Sequence, residues 1–159
     1  MWLIFLAGLL VAGVIHARLM HKTTAQTLEL VLVYLLAGYC GVGQIAMAAG
    51  ALVMPDHIAE HMGMPPGNPI MVWTAFLLLG MGVIGTMTIW LRGNFLVGPI
   101  VAWTIFWAGA TYAHINAEAV AGHPVTPTDF AWNFAAHGFI AVLLIGLSLA
   151  YWRASRGRA

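Results

Sequence analysis

The sequence predicts an all-α, polytopic membrane protein: a bundle of five transmembrane helices, N-terminus outside, C-terminus cytoplasmic, in one domain over 1–159. Three observations carry this. Hydrophobic residues make up 62% of the chain and charged residues only 7%, against roughly 25% charged in soluble domains. Breaking the 159 residues at their polar points leaves five apolar runs, at about 2–17, 27–53, 70–91, 95–118 and 130–152. All six basic residues (Arg18, Lys22, Arg92, Arg153, Arg156 and Arg158) then fall on alternate connections and the C-terminus. The positive-inside rule makes that side the cytoplasm. Asp56, Glu60, Glu118 and Asp129 fall on the other side.

A spanning helix needs about 20 apolar residues, so five of them leave only short loops and no separate soluble domain. The expected setting is the cytoplasmic (inner) membrane of a bacterium, with the lipid bilayer as the first partner. No basic groove for nucleic acid, P-loop or dinucleotide glycine fingerprint is present. The one cysteine, Cys40, lies inside an apolar run and reads as a small buried hydrophobe.

The first run has no basic residues before it, so it reads as a retained helix rather than a signal peptide. Gly8 and Ala12 form a small-xxx-small pair, a surface for close helix approach. His16, near the cytoplasmic end, reads as a headgroup contact. The second run starts after Thr27 with Glu29 in its first turn, where an acid suits the helix dipole. Gly38, Gly41, Gly43 and the alanines after Gln44 make a face suited to other helices. Gln44 is expected to point inward, because an amide exposed to lipid is costly.

The loop 54–69 is the longest polar island in the chain. Pro55 can open a short helix, Gly63 stops it, and Pro65, Pro66 and Pro69 hold the approach to the third run extended. Ile58 and Met62 offer that helix an apolar side. The third run has a Gly80-Met81-Gly82-Val83-Ile84-Gly85 centre and ends at the tight hairpin Arg92-Gly93-Asn94. On the fourth, Thr111, His114 and Glu118 share a face at i, i+3 and i+7. On the fifth, capped by Thr128 or Asp129, a stripe of Asn133, His137, Ala141 and Ser148 should face the bundle. Trp90, Trp132 and Trp152 suit the membrane–water interfaces.

This topology puts five of the seven histidines (His57, His61, His114, His123 and His137) at the outer end, with Glu60 and Glu118. Neutral imidazole is the commonest transition-metal ligand, and carboxylates complete such sites. The metal candidates are therefore His57, Glu60, His61, His114 and Glu118, for zinc, copper or iron. The cofactor candidates are His114 and His137, because an ionisable group within a span is a functional hypothesis by default. Ala110 precedes His114 by four residues and leaves space for a flat macrocycle, so a haem or chlorin is the second ligand class. The bland alternatives are solvated loop histidines and a hydrogen bond from His137 to Gln44 or Tyr112. His57-x-x-Glu60-His61 also matches an inverted zinc-protease pattern, but the available helix is short and proline-bounded.

Pro55-Asp56, Ile58-Ala59, Gly63, Pro65, Gly67, Pro69, the glycine-rich third run and the Gly109…Ala113-His114-Ile115 ending resemble a family of small multi-span bacterial membrane proteins of unknown function. The resemblance covers about residues 54–118. It includes a histidine at the position of His114 but not His57, Glu60 or His61. In that pattern a carboxylate and an amide stand where this chain has Trp73 and Leu78. The resemblance implies the membrane fold and no activity. The functions in view are a metal or tetrapyrrole site, a non-catalytic accessory subunit of a larger membrane complex or self-assembly, and a small transporter or channel.

Overall fold

The computed structural model describes residues 2–61, 65–120 and 126–156. It is all-α among the described residues, and five helices there are long and apolar enough to cross a membrane: Trp2–Leu19, Thr24–Val53, Ile70–Met87, Gly93–Asn116 and Phe139–Arg156. An 18-residue helix rises about 27 Å, close to the thickness of a hydrocarbon core. Large apolar side chains such as Ile4, Val53, Phe76 and Ile105 lie outward, as a lipid solvent requires. The helical elements are α1 (Trp2–Leu19), α2 (Thr24–Val33), a π-helical segment Tyr34–Val42, α3 (Gly43–Val53), α4 (Pro55–His61), α5 (Ile70–Met87), a 3₁₀ turn Gly93–Leu96, α6 (Val97–Val120), α7 (Pro127–Asn133), a π-helical segment Phe134–Gly138 and α8 (Phe139–Arg156).

The chain divides into two compact units, Val33–Pro99 and the remainder, Met1–Leu32 with Ile100–Ala159. In Val33–Pro99, α5 runs antiparallel along the π segment and α3. Gly82 meets the Gly41 carbonyl and Ile45, and Gly85 meets Leu36 and Gly41. Towards the other end of the pair, Met71 and Ala75 pack with Ala51 and Ala59, and Ile58 covers them. Ile58 therefore turns into the protein rather than to the membrane surface; Met62 and Gly63 lie outside the described residues. Asp56 Oδ1 accepts the Gly67 N–H at 2.7 Å and ties the short α4 to the following loop. Cys40 is fully buried, as its apolar setting predicts, and Gln44 is buried as well. The hairpin at Arg92-Gly93-Asn94 is present, with Gly93 at φ +64° and Arg92 donating to the Ile89 carbonyl.

In the other unit, α1 buries Leu6, Gly13 and Ala17. At the expected Gly8–Ala12 surface, no described atom lies within 4 Å of a Cβ built on Gly8, while Ala12 is half-buried. α1 ends with His21 at φ +49°, where His21 N–H reaches the Arg18 carbonyl and Lys22 N–H the Ala17 carbonyl. That is a left-handed helix stop of the kind glycine usually makes. α2 starts at Thr24, three residues before the expected start. Thr23 is its cap, and the Gln26 side chain accepts the Thr23 N–H at 3.1 Å, one half of a capping box. The helix before the fifth span starts at Pro127, not at a Thr128 or Asp129 cap, since proline fits the first helical turn. Trp90 and Trp132 are exposed and Trp152 is half-buried.

Candidate functional site

The site is built on one face of α6. Trp103, Trp107, Thr111 and His114 follow one another at spacings of 4, 4 and 3, which keeps them on a single stripe of a 3.6-residue helix. Trp103 and Trp107 stack at 6.2 Å with planes 26° apart. Phe106 stands edge-on to both, at 5.3 Å from each. Thr111 turns its hydroxyl back to the Trp107 carbonyl at 2.8 Å, which satisfies it within its own helix.

His137 enters from the segment Phe134–Gly138, where the helix widens to π geometry. Such single-turn widenings recur at functional sites. Gly138 permits the local packing, since a Cβ there would lie 2.6 Å from the Phe134 ring. The His137 ring lies flat on Trp107, with centroids 5.6 Å apart and planes 13° apart. It also lies flat on His114, at 4.7 Å and 4°. His137 is thus held between an indole and a second imidazole, and the column Trp103–Trp107–His137–His114 runs from a buried tryptophan to an exposed histidine.

Among the described residues, the buried His137 Nδ1 and Thr104 Oγ1 find no hydrogen-bond partner. A buried donor or acceptor left unmade costs about 1–3 kcal/mol. Other helical hydroxyls, such as Thr86, Thr111 and Ser148, donate to a carbonyl of their own helix. Of the alternative hydrogen-bond partners for His137, Gln44 or Tyr112, Gln44 belongs to the other unit, and no bond to Tyr112 is found among the described residues. Tyr112 lies exposed, and the ring contacts of His137 are to Trp107 and His114.

The stack also constrains ligation. A metal ion takes an imidazole lone pair in the plane of the ring. Rings parallel to within 4° share no such plane, so one ion held by both nitrogens would lie well out of both planes. As they stand, the two rings are not placed to chelate one ion between them.

The remaining sequence candidates are placed as follows. His57 and Glu60 are exposed on α4, in the Val33–Pro99 unit, whereas His114 and His137 belong to the other. The side chains of His61 and Glu118, and His123 altogether, lie outside what is described. Among the described residues no three His, Cys, Asp or Glu side chains are grouped as a metal site. Of the fifth-span stripe, Ala141 and Ser148 are buried and His137 half-buried; the Asn133 side chain is not described. Trp103 and Trp107 were missed by reading charges and polar groups. Their signal was the apolar continuation of the His114 face, about two and three turns further in.

No curated protein and no solved structure matches this chain. One family profile does, over residues 1–157, well beyond the 54–118 stretch that carries the resemblance by eye. The chain belongs to this family, which is described as a family of unknown function (DUF6790).

Proposed function

We propose that this multi-span protein holds a metal centre at the outer end of its fourth and fifth spans, with His114 as the protein ligand and His137 as the ring that orients it. The observation that supports this best is the stacked pair itself: an exposed imidazole laid parallel on a second one, which is in turn clamped against Trp107. A histidine within a span is costly to keep. Two in face-to-face contact, one with a buried unpartnered nitrogen, are an expensive arrangement for structure alone. Neighbours that fix a ligating imidazole are a recurrent feature of metal sites.

Elemental analysis of the full chain purified in mild detergent, without chelator, tests this. Near-stoichiometric zinc, copper, iron or magnesium is expected in the wild type and in His57→Ala, and none in His114→Ala. Metal-free wild-type protein would overturn the reading and favour a non-catalytic accessory subunit. The small-residue faces that prompted that alternative are partly used inside the chain: Gly41, Gly82 and Gly85 all meet atoms of their own unit.

The outer placement rests on the distribution of lysine and arginine, which also supports a bacterial cytoplasmic membrane with the C-terminus inside. A reporter fused after Arg158 is expected to be active only in its cytoplasmic form. Activity of an exported reporter there would move His114 and His137 to the inner face.

A further inference from the structure

We infer that α8 binds one anionic phospholipid, its phosphate on Arg153 and Arg156 and its acyl chains along the exposed face that leads up to them; the metal-centre reading plays no part in this. Val142, Ile145, Leu149, Arg153 and Arg156 follow one another at spacings of 3, 4, 4 and 3. That holds all five within about 80° of one side of a 3.6-residue helix. All five are exposed, and the helix buries Ile140, Ala141, Leu144 and Ser148 on its other side. The stripe is apolar along its length and cationic at its end. From Val142 to Arg153 it rises about 17 Å, close to half of a hydrocarbon core about 30 Å thick. A partner that fits it is one leaflet deep, apolar along its length and negative at its tip.

The two guanidiniums select the headgroup. Side chains three apart on a helix are neighbours, so both arginines can reach one phosphate, each through two parallel N–H donors. α8 itself contains no acidic residue. By the alternation of five spans, Asp56, Glu60, Glu118 and Asp129 fall at the membrane face opposite Arg153, and Glu29 lies within the second span. A zwitterionic headgroup would bring its own cation to the arginines, whereas an anionic one is attracted by each of them. Cations at a helix C-terminus suit the dipole wherever they stand round the axis. Here both continue the lipid-facing stripe, which the dipole does not require.

The test is native mass spectrometry of the full-length protein, released from mild detergent after incubation with equimolar phosphatidylglycerol and phosphatidylcholine. One phosphatidylglycerol retained per chain, in preference to phosphatidylcholine, is expected. Arg153→Gln and Arg156→Gln should each weaken retention about fivefold, and the double variant about 25-fold. Arg18→Gln with Lys22→Gln removes the same charge from the same membrane face and should leave retention intact. Equal losses in the two double variants would show only the general field of the basic face and overturn the site. Equal retention of the two lipids would overturn the anionic headgroup. Displacement of the lipid by glycerol 3-phosphate would show an anion site without an acyl track and overturn the phospholipid. A lipid-free dimer that Leu149→Ser breaks apart would give the stripe to a second copy of the chain and overturn the inference as well.

Discussion

Gly85→Ala is expected to destabilise the Val33–Pro99 unit by about 1–3 kcal/mol, and Gly85→Leu to prevent α5 from seating at all. The Cβ that alanine adds would lie 2.7 Å from the Leu36 carbonyl oxygen and 3.1 Å from Gly41 Cα. Both are backbone atoms on the facing π segment, so no side chain can swing aside. Relief requires α5 to back away along the length it shares with that segment and α3. Gly41 is the reciprocal half of the contact, because a Cβ there would meet Thr86 Oγ1 at 2.6 Å and Thr86 N at 2.9 Å. Gly80 is the control: it sits on the same helix with nothing within 4 Å, and Gly80→Ala should change stability by no more than about 0.5 kcal/mol. The measurement is the unfolding midpoint of the full chain in mild detergent titrated with denaturing detergent. Equal midpoints for Gly85→Ala and Gly80→Ala would show that the close helix contact is not what holds this unit.

That contrast also shows how far a sequence of this kind can be read. Composition and the placement of Arg18, Lys22 and Arg92 are enough to find five spans, because the cost of a charge in hydrocarbon leaves the chain few choices. The run from Gly80 to Gly85 marks a close contact by its lack of side chains. It does not say which of the glycines is used, since a spacing of three or four defines a face and not the partner on it. Ile58 shows the same limit from the other side. Its apolar character foretold a buried contact, but lipid and protein are equally apolar, so only the structure distinguishes them. His114 and His137 were each visible as ionisable groups within spans. Their stacking was not, because it depends on the π-helical segment Phe134–Gly138, and a one-residue widening leaves no mark on hydrophobic periodicity. The start of α2 was legible in the sequence, because Thr23 and Gln26 stand at cap-box spacing.

His137→Phe is expected to raise the stability of the protein by about 1–3 kcal/mol, whereas His137→Ala should lower it by about 2–4 kcal/mol. The two signs follow from separate properties of the same side chain. As a flat ring between Trp107 and His114, His137 fills a slot whose two contacts are worth about 0.5–1.5 kcal/mol each; alanine empties the slot and leaves both neighbours without a face. As an imidazole, it carries a buried Nδ1 with no hydrogen-bond partner, and phenylalanine keeps the shape while removing that polar atom. A residue whose apolar isostere folds better is kept for something other than folding. Unfolding midpoints in the same detergent titration read both effects, and Trp107 emission reports whether the stacked neighbour is still in place. If His137→Phe were less stable than the wild type, Nδ1 would have a partner in the folded protein, and the argument that this position gives up stability for ligation would fall. If it is more stable, the stability gained measures what the fold gives up to present His114 on an imidazole rather than on a hydrocarbon ring.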